Sequence, residues 1–142
     1  MSKGNTTETD VLNLIFNKVL AAHLGVLDTT GNASVFIALH TADPGEGGSQ
    51  TTSEADYTSY ARVEVARTAG GWTVSGNQAS NAALIQFPQC AGGTNVLTYV
   101  SIGTLTSGAG QILYSGALNS QLTVSNLIQP QFSIGALVVE ED

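Results

Sequence analysis

Charge is missing from half of this sequence: no Asp, Glu, Lys or Arg occurs between Thr68 and Val139. A soluble surface over that stretch has to be made from Ser, Thr, Asn and Gln, which are abundant there, and it sets little like-charge repulsion against neighbouring protein. The same composition suits a Ser/Thr-rich β domain of secreted type, and composition alone does not separate the two. Basic residues are scarce throughout. Four Lys and Arg against eleven Asp and Glu give a formal net charge of −7, which repels a phosphate backbone and argues against a nucleic-acid partner. The single cysteine, Cys90, excludes an intrachain disulfide and a thiolate zinc site. A small buried apolar residue is its expected role, with a reactive thiol as the alternative. Long apolar runs are lacking too: the stretch after Asp10 is broken by Asn13, Asn17, Lys18 and His23, too short and too polar to span a membrane. The first ten residues do not have the form of a signal peptide, so synthesis in the cytoplasm, with no membrane partner, is the expectation.

What is present fits one domain. At 142 residues the chain is long enough to bury roughly two-thirds of its unfolded surface around one apolar core. The reading is a flexible N-terminal segment over 1–9, a single β-rich domain over 10–139 and an acidic, solvated tail over 140–142. Leu12, Ile15, Phe16, Val19 and Leu20 recur at helical spacing and predict one helix over Asp10–Leu24. Thr7 or Thr9 is the candidate cap, Glu8 and Asp10 sit near the positive end, and Gly25 is the stop. One apolar stripe implies that this helix lies on a sheet.

The rest reads as short strands between Gly, Pro and Asn turns. They are predicted at Ser34–Thr41, Tyr60–Arg67, Trp72–Ser75, Ala83–Phe87, Val96–Gly103, Gln111–Leu118, Leu122–Val124 and Gln131–Val139. In Tyr60–Arg67 the alternation sets Tyr60, Arg62 and Glu64 on one face, opposite Ala61, Val63 and Val65. The fold class is therefore mainly β: an antiparallel β-sandwich or partly closed barrel with one N-terminal α-helix. Residues 42–56 form a long glycine-containing loop of the kind that has a role or stays mobile until a neighbour covers it.

No spacing carries catalysis. His40, Asp43, Glu46, Glu54 and Asp56 are the densest polar group, where a base, a metal ligand or a calcium site is conceivable, yet they lack the regular spacing of a calcium loop, and acids that merely keep the loop solvated are the favoured reading. Two histidines cannot make a three-histidine metal site, and no Gly-x-Ser-x-Gly elbow or phosphate-binding loop is present. No cofactor, metal site or catalytic residue is expected. Trp72 reads either as an anchor for a partner pocket or as core packing.

The run Ile37-Ala38-Leu39-His40-Thr41-Ala42-Asp43-Pro44-Gly45, then Glu54, then Tyr57-Thr58-Ser59-Tyr60-Ala61-Arg62-Val63, resembles a family of small tailed-bacteriophage structural proteins. Asn81-Ala82-Ala83, Phe87-Pro88 and Ser101-Ile102-Gly103 fit as well, so the resemblance covers about residues 10–139. It implies a virion protein that is not an enzyme, binding the major capsid protein or another virion structural protein. Capsid decoration, a cement on the outer head lattice, is the first expectation, with homo-oligomerisation. Asp43, Pro44, Tyr57, Tyr60 and Arg62 are the expected contact residues. A tail or tail-fibre-associated adaptor is the alternative. From another class comes a carbohydrate- or calcium-binding module, which needs Trp72 and the tyrosines exposed beside the acidic loop.

Overall fold

The computed structural model describes residues 3–19 and 31–141. In chain order its elements are α1 (Asn5–Leu12), β1 (Ser34–His40), β2 (Val63–Ala66), β3 (Trp72–Ser75), β4 (Gln78–Asn81), β5 (Ile85–Gln86), β6 (Asn95–Gly103), β7 (Ile112–Val124), β8 (Gln131–Phe132) and β9 (Val138–Glu140). Among the described residues the fold is mainly β, with antiparallel sheets ordered β2-β1-β6-β7, β3-β4-β9 and β5-β8 and one N-terminal helix. A mainly β fold with antiparallel sheets and an N-terminal helix is as predicted. The chain packs as two compact units, one drawn from Met1–Ser34, Ala66–Ile85 and Phe132–Asp142, the other from Val35–Val65 and Gln86–Gln131.

In the first unit the helix starts ahead of the predicted Asp10. Extended Gly4 is its N-cap, with no side-chain cap, and the Gly4 carbonyl accepts from the amides of Thr7 (2.8 Å) and Glu8 (3.1 Å). Thr7 and Thr9 are thus inside the helix, and Thr9 Oγ1 instead donates to the carbonyls of Asn5 (3.0 Å) and Gly76 (2.6 Å). A wider π turn over Asn13–Asn17 follows, and Lys18 ends it in the left-handed region at φ 53°. The predicted continuation through Leu24, His23 and the stop at Gly25 lie outside the described residues. Arg67 satisfies the carbonyls that a helix end leaves open, donating to Ile15 O (2.5 Å) and Leu14 O (2.8 Å).

Phe16 and Trp72 are fully buried, with ring centroids 4.4 Å apart and tilted by 50°. Gly76 (φ +61°) opens the two-residue turn between β3 and β4, where a hairpin of this length requires a glycine. The strand β4 was not predicted, because Gln-Ala-Ser-Asn has little strand propensity; β3 and β9 hold it from both sides. Its last residue, Asn81, is buried. The Asn81 side chain donates to Ala83 O (2.8 Å) and Ser133 O (2.9 Å) and accepts from Leu137 N (2.9 Å). Two of the acidic residues near the C-terminus are placed by the fold: exposed Glu140 belongs to β9, and buried Glu141 pairs with Lys3 at 2.5 Å.

The second unit is built on β1 and β6, whose register sets Ile37 opposite Ile102 and Leu39 opposite Val100. These four are buried, as are Leu97 and Val124, so the centre of this sheet is the core. The predicted strands Gln111–Leu118 and Leu122–Val124 merge into one, β7, from Ile112 onward, while Gln111 makes an isolated bridge to Ser49. Its pairing with β6 slips between Leu97/Leu122 and Tyr99/Ala117, so the intervening residues bulge without breaking the strand.

Candidate functional site

The loop after β1 carries every residue predicted as a contact. It opens with an Asx turn, in which Asp43 Oδ1 accepts from Gly45 N at 2.8 Å, and Gly45 takes φ +69°. Thr41 N donates to Ser53 O and Ala55 N to Leu39 O, both at 2.8 Å, so the far side of the loop folds back along β1. Residues 42–56 are thus tied to β1 by hydrogen bonds within their own chain.

Beneath the loop lies a buried polar cluster. Fully buried Gln50 donates to Phe36 O (3.0 Å) and accepts from Leu105 N (3.1 Å) and Arg62 Nη1 (3.4 Å). Arg62 forms a two-pronged pair with Glu54, Nε to Oε1 at 2.7 Å and Nη2 to Oε2 at 2.8 Å. The remaining guanidinium N–H groups reach Leu105 O (2.9 Å) and Gly108 O (2.8 Å). Tyr60 donates its hydroxyl to Glu54 Oε1 (3.1 Å) and accepts from Leu39 N (3.0 Å). Burial holds the Tyr60 phenol far above the usual tyrosine range. His40 is fully buried, its Nδ1 2.8 Å from Thr52 O and its Nε2 2.7 Å from Ser101 Oγ. The Thr52 carbonyl can only accept, so Nδ1 carries the proton and Ser101 donates to Nε2. Loss of solvation on burial lowers the His40 pKa, against the upward pull of the Thr52 bond and Glu54.

The tyrosines are mutually packed. Tyr57 and Tyr60 meet edge to face at 5.3 Å, and Tyr60 stacks on Phe87 at 6.3 Å. Tyr57 donates to Pro88 O at 3.0 Å, and burial pushes its phenol up to about 12. Asn95 holds the same corner, its Oδ1 accepting from the amides of Asp56 and Tyr57, both at 2.9 Å.

Of the five predicted contact residues, only Asp43 is exposed. Pro44, Tyr57 and Arg62 are buried and Tyr60 is partly so. The reason for this burial is local: β2 begins at Val63, so the alternation read from Tyr60 does not extend to Arg62, which turns inward to Glu54. The acidic group also separates, with Asp43, Glu46 and Asp56 exposed and Glu54 tied to Arg62. Among the described residues no three His, Cys, Asp or Glu gather as a metal site. Sequence reasoning missed Gln50, whose one signal is shape: Gly103 and Gly110 crowd it so closely that a Cβ on either would collide with its amide. The binding-module reading loses its aromatic platform, because Trp72 and Tyr57 are buried.

Each polar group of the cluster already has a partner within its own chain, which is the arrangement of a structural clamp. One protein-family model, described as "Podophage GP4 fiber I protein gp80", matches residues 4–140. The chain belongs to this phage fibre family. The protein is accordingly a non-catalytic structural component of a bacteriophage virion, working among other virion structural proteins. No curated protein matches it. No helix among its described residues is long and apolar enough to cross a membrane. The family description names a fibre and not a head cement, so it favours the alternative reading of the sequence over the first.

Proposed function

We propose that this protein is a tail- or tail-fibre-associated subunit of the phage particle, an adaptor that presents a fixed surface to neighbouring virion proteins. The observation that supports it is the fibre-family match over residues 4–140. The geometry fits this work. The Gln50–Glu54–Arg62 clamp ties the loop over 42–56 to the turn that contains Leu105 and Gly108, so the exposed loop around Asp43 is set before any partner arrives. A preset surface avoids the entropy cost of ordering a loop on binding. In this reading Asp43 is the direct contact, while Pro44, Tyr57, Tyr60 and Arg62 act by holding it in place.

Cryo-electron microscopy of native particles tests the proposal. Density for this chain on the tail or its fibres is the expected result. Regular density over the capsomers would replace it with the cement role, and a chain missing from purified virions would remove both.

A further inference from the structure

His40 closes the end of β1 with a titratable side chain shut away from water. It is fully buried, and so is Ser101 of β6. With Nδ1–H donating to Thr52 O in the loop and Nε2 accepting from the Ser101 hydroxyl, both ring nitrogens are committed, one of them as an acceptor. A second proton would turn Nε2 into a donor aimed at an oxygen that is itself donating. Ser101 could accept only by rotating its hydrogen away. Among the described residues His40 is the one partner of that hydroxyl, so the rotated hydrogen would be buried without an acceptor.

Nor is a counter-ion at hand. The charged groups that act on His40 are Glu54 from the loop and Arg62 from the segment before β2, and they are occupied with each other: Glu54 Oε1 accepts from Arg62 Nε and the Tyr60 hydroxyl, and Oε2 from Arg62 Nη2. Tyr60 and Tyr99, the register partner of His40 on β6, are phenols and offer no carboxylate. The other acids of the loop, Asp43, Glu46 and Asp56, are exposed. An imidazolium left without compensation in such a site is costly.

The two flanks of His40 are unequally held. On one side β6 pairs with β1 from Phe36 to His40. On the other, residues 53–55 lie alongside through two backbone bonds, Thr41 N to Ser53 O and Ala55 N to Leu39 O. Ser53 sits in the left-handed region at φ 52°, where a residue other than glycine is strained, and both Thr52 and Ser53 are exposed. Water therefore reaches the imidazole with least disruption when the loop side lifts.

We propose that His40 is an acid-operated latch: it takes up a proton only when residues 52–55 lift from the end of β1, so mild acid frees the loop while β1 and β6 stay paired. The loop that carries exposed Asp43 is then preset at neutral pH and loosened below it. Burial lowers the His40 pKa while the loop is closed, and the freed imidazole returns to its ordinary value of about 6.5. Between those two values each pH unit downward raises the opening constant about tenfold. The inference concerns the chain alone and stands whichever virion protein the loop meets.

Amide exchange on the purified full chain from about pH 7 to about pH 5, corrected for the intrinsic rate, is the test, with the His40 ring followed by NMR in the same samples. Protection of the Thr41 and Ala55 amides should fall by about tenfold per pH unit as His40 titrates, while amides bonded between β1 and β6 keep theirs. Protection at Thr41 and Ala55 that does not change with pH overturns the proposal, and so does its loss together with that of the β1–β6 ladder, which is global unfolding. His40→Gln keeps a donor for Thr52 and does not titrate, so its loop protection should be level across the range. The same pH dependence in folded His40→Gln overturns the proposal by placing the trigger on another group, and the wild-type outcomes decide should that variant misfold.

Discussion

Arg62 has five N–H groups, and the structure supplies each with an acceptor on Glu54, Gln50, Leu105 or Gly108. Arg62→Ala would leave a partly buried carboxylate and two carbonyls without their donor. It should cost about 3 kcal/mol in denaturant unfolding. Arg62→Lys should recover little of this, because an ammonium cannot reproduce the planar fork. Gly110→Ala tests the other side of the clamp, since the added methyl would collide with the Gln50 amide and press on Leu105. A loss of about 1–3 kcal/mol is expected, partly relieved when Gln50 is also replaced by alanine. His40 gives the pH dependence. Its folded pKa lies below the ordinary 6.5, so below that pH the unfolded chain binds a proton that the native state refuses. Stability from His40 is present above the unfolded pKa and falls as pH drops through and beneath it. Thermal melts from neutral to mildly acidic pH should show a steeper decline for wild type than for His40→Gln.

Elements were legible where composition changes abruptly and obscure where neighbours decide. Ser34–His40 lies between Gly-Asn and Asp-Pro-Gly, and Trp72–Ser75 follows Gly-Gly, so each emerged with its boundaries almost intact. By contrast, the predicted strand Gln131–Val139 divides into β8 and β9 around a turn with Gly135 at φ +75°; an apolar pattern containing one glycine does not reveal that turn. The helix was misplaced for a related reason: apolar spacing locates the buried stripe but not the polar first turn, which here precedes Asp10. Asn81 shows how a polar residue can define an element's end. Asn81→Asp would replace two donated hydrogen bonds with a carboxylate facing two carbonyls, and a loss of about 3 kcal/mol is expected in chemical denaturation. The clamp was half legible. Tyr57, Tyr60 and Arg62 stood out as a group, but no pattern in the sequence told an outward strand face from an inward ion pair, and Gln50 is marked only by the two glycines, Gly103 and Gly110, that make room for it.

For the whole molecule, the uneven charge is the property with the widest reach. The acids lie before residue 65 and at 140–142, and residues 68–139 carry no charge, so contacts made through that stretch lack ion pairs for salt to screen. Raising ionic strength should then strengthen any such contact between copies slightly, by damping repulsion between two chains of −7, where an interface built on ion pairs would weaken. Sedimentation at low and physiological salt reads the sign directly. Family membership was visible through the His40–Arg62 stretch, while the choice between head and fibre was not, because both roles ask only for a rigid scaffold with a preset surface.

The burial of two unique residues offers a way to watch each half of this architecture separately. Trp72, fully enclosed against Phe16, lies in the first unit, and Cys90, equally enclosed, lies in the second. Native protein should emit indole fluorescence at short wavelength and resist thiol reagents. During denaturation the red shift then times the opening of one unit, while maleimide uptake times the other. Coincident curves would mean that the two melt as a single cooperative body, and separated curves would reveal which yields first.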